Sequence, residues 1–486
     1  MKPLIPILLA LTLTGCAAMD PGNPAVKEIQ GTQLGLSGAS IKWPARQWWH
    51  RYQDPQLDTL VSEALNKNPS LAAAQARLRI ANEAVHGARA VQLPNLNATY
   101  NQTRERLSEN YIYPPPLGGS MQTDVNLQLN LGFDLDLWGK QRSLYAAALS
   151  RDEASRADTE VARNALISAV TQSYFNLQDA LEQQEVIGKI VKQLENVASI
   201  TRQRLKAGLD TRVEVNQADS AVSAAKVQLS QASTNASLLR HQLAALVGAG
   251  PDRGMTIQRA KLAHAPTGIP KIIPMNLLGR RPDIIAAKLR VEAASSNISA
   301  AKAGFYPDIN LSAFFGFQAL GLGNLLHDSS KTYGVGPAIS LPIFNGGALN
   351  AQLGTKRAER DLAIANYNQT VLTAVRQVAD ATTAIRDLRQ QLIDQHASYE
   401  SIKSAYEIAV KRYQSGLGNF LQVLLAQNDV LKQAIQDTRL RARAYNLDAQ
   451  LATALGGGYG PAETPKTMTT QNGGATAATT TTVESH

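Results

Sequence analysis

The sequence predicts a mainly α-helical protein that also contributes transmembrane β-strands, and three observations support this fold class. The chain of 486 residues is built from two similar halves. Aromatic residues make up only 5% of it, which favours long helices with alanine-rich contacts over a large aromatic core. Four segments nevertheless alternate between apolar and polar residues, which is the period of a strand with one apolar face. Each half is therefore expected to combine helices with one pair of strands.

The internal duplication appears as pairs of similar segments at equal spacing. "NPSLAAAQARLRIANEAV" is similar to "RPDIIAAKLRVEAASSNI", and Pro69 and Pro94 in the first half correspond to Pro282 and Pro307 in the second. Further along, "RLKAGLDTRVEVNQADS" corresponds to "RYQSGLGNFLQVLLAQND". A repeat indicates one supersecondary unit used twice. We expect each unit to contain a helix, two strands, a long helix, a tight turn and a returning helix.

Long helices are the main predicted element of both halves. They are expected over about 139–207 and 346–415, which at ~1.5 Å per residue gives roughly 100 Å each. The leading helices (55–92 and 275–305) and the returning helices (209–248 and 417–456) would together cover that length. An apolar, alanine-rich seam in the second long helix recurs every three or four residues, as in a coiled coil: Val371, Ala374, Val378, Ala381, Ile385, Leu388 and Leu392.

The clearest strand signal is "VNLQLNLGFDLDLW", from Val125 to Trp138. Its apolar side chains face one way and its polar ones, including Asp134 and Asp136, face the other. A strand beginning near Leu96 precedes it, and two more follow in the second half, at 309–317 and 333–343. Each is near the length that crosses a bilayer at a tilt. A soluble β-sandwich is the alternative reading of the same pattern.

Four strands are too few to close a barrel in a membrane. Unpaired backbone groups at a sheet edge cost several kcal/mol each in hydrocarbon, and the smallest familiar barrels use about eight strands. The chain is therefore expected to pool its strands with identical copies. Two copies would give a barrel filled by side chains and three would leave an aqueous lumen; the polar strand faces favour the wet interior.

Cys16, the only cysteine in the chain, follows a segment that reads as a secretory signal. Lys2 is followed by the apolar stretch "PLIPILLALTLTG". The ending "LTGC" resembles a lipobox, in which cleavage leaves Cys16 as a lipid-bearing N-terminus. A signal peptide with an incidental cysteine is the alternative. In lipoproteins of Gram-negative bacteria, Ala17 and Ala18 at this place imply sorting to the outer membrane.

Charge and motif content argue against nucleic-acid binding and catalysis. The net charge of +9 is spread, with Lys and Arg interspersed among Asp and Glu. The seven histidines are scattered without metal-ligand spacing, and the sequence contains neither a Walker loop nor a nucleophile elbow. We expect no enzyme activity, no cofactor and no metal.

These observations divide the chain into six parts. They are a signal peptide (1–15), a lipid-anchored N-terminal segment (16–54), a first repeat (55–263), a Pro-rich linker (264–274), a second repeat (275–456) and a disordered low-complexity tail (457–486). In the N-terminal segment, Trp43, Trp48 and Trp49 are expected to pack on the outer equator of the barrel rather than to bind a ligand.

The lipobox, "QWWHRYQDPQLDTLV", "GRRPDIIAAKLRV", the paired strand hairpins and the paired "GL" turns together resemble the TolC-like outer-membrane factor family. The resemblance is to its lipoprotein (NodT-type) branch of efflux ducts, and it covers about residues 45 to 456. It implies a homotrimer whose twelve-stranded β-barrel, with four strands per chain, lies in the outer membrane and continues into a long periplasmic α-helical coiled-coil barrel. It also implies three partners: outer-membrane lipid, a periplasmic membrane-fusion adaptor and an inner-membrane pump of the resistance-nodulation-division (RND) class.

The same resemblance places adaptor contacts at the tips of the helical hairpins. Carried onto this sequence, the contacts are Ala207, Gly208, Leu209, Ser415, Gly416 and Leu417. Glycine suits both turns, because the residue just past a helix end often takes a left-handed backbone conformation. Simple helix termination is the alternative role of each residue.

The periplasmic aperture would lie just beyond the second turn. Leu421 and Leu425 are one helical turn apart on one face. Gln422 and Leu425 stand where many relatives carry aspartates, so a ring of leucines would close the mouth by steric contact and dewetting rather than by charge. Glu214 is the nearest acidic substitute, and we expect it to hold the tips closed by a hydrogen bond or an ion pair. An ordinary solvated charge is the alternative.

The function that the resemblance implies is passive conduction of small molecules, such as drugs or other toxic compounds, from the periplasm to the outside. Two other functions remain open at this point. A type I protein-secretion duct shares the architecture. A pore-less structural lipoprotein of the periplasm would have no need for long strands with one apolar face.

Overall fold

The computed structural model describes residues 23–36, 41, 43–260 and 275–460. The predicted signal peptide, Cys16, the 264–274 linker and residues 461–486 lie outside these residues. The described chain consists of two helical repeats that share one four-stranded antiparallel sheet.

The two repeats share the order helix, two strands, long helix and returning helix, and the first repeat has two additional short helices. The first contains α1 (Pro55–Lys67), α2 (Pro69–Ala90), β1 (Asn95–Arg106), β2 (Met121–Asp134), α3 (Lys140–Lys206), α4 (Arg212–Leu246) and the short α5 (Pro251–Met255). The second contains α6 (Pro282–Ala303), β3 (Asp308–Leu320), β4 (Lys331–Ser340), α7 (Ala348–Gln414) and α8 (Phe420–Ala454). Helices α2 and α6 have 22 residues each, α3 and α7 have 67, and α4 and α8 have 35. Equal lengths are what a duplicated unit predicts.

The leading helix of the first repeat is interrupted, which corrects the single helix predicted over 55–92. Pro69 forces the preceding Asn68 into an extended conformation (φ −70°, ψ 124°), and α1 ends there. The Asn68 side chain then accepts the amide of Ser70 at 2.8 Å as the N-cap of α2. Its amide group also donates to the Leu246 carbonyl at 2.8 Å, so the break is tied to the end of α4.

The four strands pair in the order β1-β2-β3-β4, each antiparallel to its neighbour. The register places Leu127 opposite Tyr100 on one side and Phe317 on the other, and Leu129 opposite Phe315. One face of the sheet is therefore apolar over most of its area, as the alternation predicts. Many of these side chains are exposed in the single chain, including Leu129 at 46% and Tyr333 at 77%.

Two strands end earlier than predicted. Strand β2 stops at Asp134, before Leu135, Asp136 and Leu137, and β4 stops at Ser340, before Leu341 and Ile343. The Asp136 carboxylate accepts the backbone amides of Gln141 (3.0 Å) and Arg142 (2.9 Å) in the first turn of α3. After β4, Pro342 cannot donate to a ladder.

The core lies mainly between the helices. The predicted seam of α7 is buried from Val371 to Leu388, with Val371, Ala374 and Val378 at 0% exposure, and Leu392 is partly buried. Val170 and Leu177 of α3 are also at 0% exposure. A further cluster around Trp48, Trp49, Tyr52 and Phe175 joins the N-terminal segment to α3. Trp43 packs on a second cluster and has the Arg280 guanidinium 5.1 Å from its ring centre. Trp43, Trp48 and Trp49 thus all pack against apolar clusters of the protein.

Residues 26–34 of the N-terminal segment lie along the second repeat. The Asn368 side chain on α7 accepts the Ile29 amide and donates to the Lys27 carbonyl, both at 2.9 Å. Glu28 pairs with Lys288 on α6 at 2.6 Å. Val26 and Leu34 pack on the apolar cluster between α6 and α7. These contacts join residues 27–29 to Lys288 and Asn368, which are far away in the sequence.

Ordered structure continues past α8, which corrects the predicted start of the disordered tail at 457. Gly456, Gly457 and Gly458 all have positive φ and form a packed turn. A Cβ atom on Gly456 would lie 2.1 Å from the Arg280 carbonyl oxygen, and one on Gly458 would lie 2.2 Å from the Ala45 oxygen. The side chain of Asn164 donates to the Gly456 carbonyl at 3.0 Å.

None of the helices in the described part of the chain combines the length and the apolar character that crossing a membrane requires. The same described residues contain no cluster of His, Cys, Asp and Glu with the geometry to hold a metal ion.

Candidate functional site at the helical turns

The first turn joins α3 to α4 and is built by a glycine in the left-handed region. Gly208 has φ 75°, and its amide donates to the Leu205 carbonyl at 3.0 Å. The Leu209 amide donates to the Arg204 carbonyl at 2.9 Å, which satisfies a carbonyl that the helix end would leave free. Ala207, Gly208 and Leu209 are all exposed, with Leu209 at 64%.

The second turn, between α7 and α8, repeats this geometry. Gly416 has φ 78°, its amide donates to the Tyr413 carbonyl at 3.1 Å, and the Leu417 amide donates to the Arg412 carbonyl at 2.8 Å. The Asn419 side chain accepts the Gln422 amide at 3.1 Å as the N-cap of α8. Ser415, Gly416 and Leu417 are exposed, so the six predicted contact residues form two exposed turns.

The predicted aperture residues lie on the solvent side of α8. Leu421 is 55% exposed and Leu425 is 58% exposed, and Gln422 beside them is exposed as well. Between them Val423 is fully buried against the other helices. Two large apolar side chains one turn apart therefore project from the single chain without a covering element.

Glu214 is engaged in capping its own helix. Its carboxylate accepts the Thr211 amide at 2.8 Å and the Thr211 hydroxyl, while the Thr211 oxygen accepts the Val213 amide at 3.1 Å. This reciprocal arrangement is a capping box at the start of α4. The hydrogen bond from the Thr211 hydroxyl lowers the pKa of the Glu214 carboxyl, so this group is charged at neutral pH.

The two turns are linked by a polar cluster that the sequence did not predict, formed by Arg204, Asp210 and Tyr413. The Arg204 guanidinium contacts the Asp210 carboxylate at 3.0 and 3.3 Å, and it donates to the Tyr413 carbonyl at 3.0 Å. The Tyr413 hydroxyl donates to the Asp210 carboxylate. The Tyr413 hydroxyl also lies 3.3 Å from the Thr201 hydroxyl. One carboxylate thus joins the first hairpin to the second.

Burial strengthens this cluster. Tyr413 is 2% exposed, and the Arg204 and Asp210 side chains are 14% and 8% exposed. The guanidinium also lies 4.6 Å from the centre of the Tyr413 ring, a cation–π contact. Burial raises the pKa of the Tyr413 hydroxyl, and its hydrogen bond to Asp210 raises it further. The hydrogen bonds to Asp210 raise the pKa of Arg204 in turn. At neutral pH the tyrosine is therefore a donor beside a closed ion pair.

Comparison of the two repeats could have found this cluster. The first turn reads "RLKAGLD" and the second "RYQSGLG", so the tyrosine and the aspartate each occur in one repeat only. Their counterparts are Leu205 and Gly418. Where a duplicated unit differs at an equivalent position, the two copies are free to complement each other. Sequence reasoning concentrated on the residues that the repeats share and missed the pair.

A groove of about 540 Å³ runs beside the turns, between α4 and α8. Val213, Ala221, Ala224 and Leu424 supply its apolar lining, and Asn216 and Asn428 are among its polar residues. The groove, the two exposed turns and the exposed leucines of α8 share one end of the helical hairpins.

Comparison with known proteins gives a consistent assignment. The family profile described as Outer membrane efflux protein matches residues 60–249 and 273–457. The chain is 32% identical over 469 residues to the multidrug resistance outer membrane protein MdtP of Shigella flexneri, with 94% of this chain and 96% of that protein covered. It is 36% identical over 367 residues to the fusaric acid resistance protein FusA of Burkholderia cepacia, covering 72% and 68%.

Solved structures agree. The outer membrane protein VceC of Vibrio cholerae shares 34% identity with a TM-score of 0.81, covering 86% of this chain and 100% of that one. The outer membrane channel CmeC of Campylobacter jejuni shares 26% identity with a TM-score of 0.81, covering 92% and 95%. The predicted family is confirmed over both repeats. This chain belongs to the outer membrane efflux protein family.

Proposed function

We propose that this outer-membrane efflux protein is the passive exit duct of a tripartite efflux system. Three copies supply twelve strands to one barrel, and their helices form a periplasmic tube that receives small molecules from an RND-type pump through a membrane-fusion adaptor. The observation that carries the proposal is the four-stranded sheet with one continuous apolar face and two free edges. Such a sheet is unstable in lipid unless other copies pair its edges.

Small molecules are the proposed cargo. Relatives with names that refer to multidrug and fusaric acid resistance support this choice over protein export. The duct itself needs no catalytic group, because conduction requires only a path, and the pump supplies the energy. Cys16 is proposed to carry the lipid that anchors each chain in the outer membrane.

The proposed mouth is the end where the two helical turns lie. Ala207, Gly208, Leu209, Ser415, Gly416 and Leu417 are exposed there and are proposed to contact the adaptor. Leu421 and Leu425, with Gln422 between them, are proposed to meet their counterparts from the other copies and to close the mouth by excluding water. Glu214 is proposed to act at this mouth as the charged cap that keeps the first turn of α4 in place.

Planar-bilayer recording on the purified protein tests the duct. The double variant Leu421→Ser and Leu425→Ser replaces two exposed apolar side chains at the mouth, so we expect a higher single-channel conductance than in the wild type. The control is the double variant Leu238→Ser and Leu362→Ser, which changes two leucines that are 60% and 62% exposed elsewhere on the helices. Absence of conductance in the mouth variant, with the protein inserted in the bilayer, would exclude a duct and leave a structural protein.

A further inference from the structure

Two arginines lie on the apolar face of strand β1 at its far end. Side chains alternate along a strand, so the apolar residues Leu96, Ala98 and Tyr100 share a face with Gln102, Arg104 and Arg106. Both arginines are exposed. This end of the sheet is remote from the helices, because the 107–120 loop connects β1 to β2 there and α2 and α3 join the strands at the opposite end.

The position of Arg104 and Arg106 along the strand corresponds to the interface of a membrane rather than to its centre. From Leu96 to Arg104, at ~3.4 Å per residue and a tilt of ~40°, the strand rises roughly 20 Å, close to the ~25 Å apolar band of outer-membrane barrels. An outward-facing arginine is costly at the bilayer midplane and nearly free at the interface.

A lysine on the opposite edge strand lies on the same face of the sheet. Lys331 is the first residue of β4 and stands opposite Phe317, which puts it on the apolar face with Tyr333 and Val335. Strand β4 starts where the loop from β3 ends, so Lys331 is the β4 residue nearest the far end of the sheet, in the row that runs through Phe317 and Leu127 to Tyr100.

The proposed assembly brings these groups together, and this step rests on the proposed function. The only free edges of the sheet are those of β1 and β4. A closed ring of identical copies must therefore pair β4 of one copy with β1 of the next. The two strands run in opposite directions, so each seam carries Lys331 of one copy toward the same end as Arg104 and Arg106 of its neighbour. Each seam then presents three cationic side chains to the outer leaflet.

In the single chain, Arg106 and Lys331 form ion pairs that are exposed to solvent. Arg106 contacts Glu109 at 2.6 Å and Lys331 contacts Asp328 at 2.5 Å, but the two carboxylate side chains are 63% and 92% exposed. Ion pairs this exposed contribute little and are readily exchanged. Within the described residues Arg104 makes no ion pair. Its guanidinium offers a planar fork of donors, the geometry that fits a phosphate group in a bidentate manner.

We propose that the seam between adjacent copies binds the phosphate groups of an outer-leaflet glycolipid of the lipid A type through Arg104, Arg106 and Lys331. The apolar strand faces below the cations pack against its acyl chains. A trimer has three such seams.

Native mass spectrometry of the purified trimer with added diphosphoryl lipid A tests this proposal. We expect the wild type to retain bound lipid A, and the double variant Arg104→Gln and Arg106→Gln to bind it at least about tenfold more weakly, the loss expected when charge-assisted contacts are removed. Lys331→Gln should weaken binding in the same direction. Phosphatidylglycerol, which offers a phosphate on a smaller lipid, should compete poorly.

The matched control is Arg77→Gln with Arg79→Gln. These arginines are also exposed and two residues apart, but they lie on helix α2, so lipid A binding should equal that of the wild type. Equal lipid A retention by the Arg104 and Arg106 variant, in a trimer that still conducts, would overturn the glycolipid site and leave the duct intact. Equally tight phosphatidylglycerol binding would overturn the choice of lipid A. A monomeric wild type would overturn both the site and the duct.

Discussion

At the scale of single residues, Asp210 has the largest expected effect near the proposed mouth. Its carboxylate pairs with Arg204 from its own hairpin and accepts the Tyr413 hydroxyl from the other hairpin. A charged group that is 8% exposed depends on these partners, because water does not replace them. The contact between the two turns therefore depends on one negative charge.

We expect Asp210→Asn to loosen the two turns and to raise single-channel conductance in planar bilayers. The substitution keeps the size of the side chain but removes its charge, and the loss of charge-assisted hydrogen bonds costs about 2 kcal/mol. That corresponds to roughly a thirtyfold shift in favour of separated turns.

Asp219→Asn is the control for this prediction. Asp219 also pairs with an arginine, Arg202, near the same end of the first hairpin, but its side chain is 45% exposed. An exposed pair contributes at most about 1 kcal/mol, so conductance should stay near the wild-type value. If both variants conduct like the wild type, the Asp210 cluster has no role in closing the mouth.

At the scale of elements, glycine turns end the long helices, and they fall into two kinds. Gly208 and Gly416 have positive φ, yet a Cβ atom on either would meet nothing within 4 Å. At Gly456 the same kind of backbone is pressed against the start of the second repeat, 2.1 Å from the Arg280 oxygen. Gly208 and Gly416 are needed for their backbone conformation alone. Gly456 is needed for its conformation and also because a Cβ atom has no room there.

We expect Gly456→Ala to lower the thermal unfolding midpoint of the trimer much more than Gly346→Ala. Both glycines have positive φ, and forcing alanine into that region costs roughly 1–2 kcal/mol. Only at Gly456 does the added methyl overlap a carbonyl oxygen, which adds about 1–3 kcal/mol as overpacking. Equal midpoints for the two variants would mean that the packed turn relaxes without loss.

At the scale of the whole molecule, the N-terminal segment connects the proposed lipid anchor to the helices of the second repeat. The Asn368 amide holds the backbone at Lys27 and Ile29 through two hydrogen bonds. Glu28 adds the ion pair with Lys288. Val26 and Leu34 add apolar contacts with the cluster between α6 and α7.

We expect Asn368→Ala to speed tryptic cleavage after Lys27 in the native protein. Two lost hydrogen bonds at about 1 kcal/mol each raise the detached population roughly thirtyfold, and the cleavage rate follows that population when opening is fast. Asn366→Ala is the control. Asn366 is exposed and lies two residues earlier on the same helix, so this variant should be cleaved at the wild-type rate. Cleavage of Asn368→Ala at the wild-type rate would show that other contacts hold the segment.

The sequence by itself determined the repeat, the order of elements, the apolar strand faces and the glycine turns. Each of these depends on residues close together in the chain: an alternation of two, a seam of three and four, or a glycine just past a helix end. The family followed from the same local patterns. Pro69 could also have shown the break between α1 and α2, since a proline restricts the residue before it.

Only the tertiary structure decided which groups meet across the chain. Asp210 finds Tyr413, Asn368 holds Lys27 and Ile29, and Gly456 packs on Arg280, and none of these pairs is close in sequence. The tertiary structure also decided where β2 stops, because the Asp136 carboxylate accepts two backbone amides at the start of α3 instead of continuing the polar face of the strand. Local periodicity describes the environment of a side chain, whereas its partner is set by how the two repeats pack on each other.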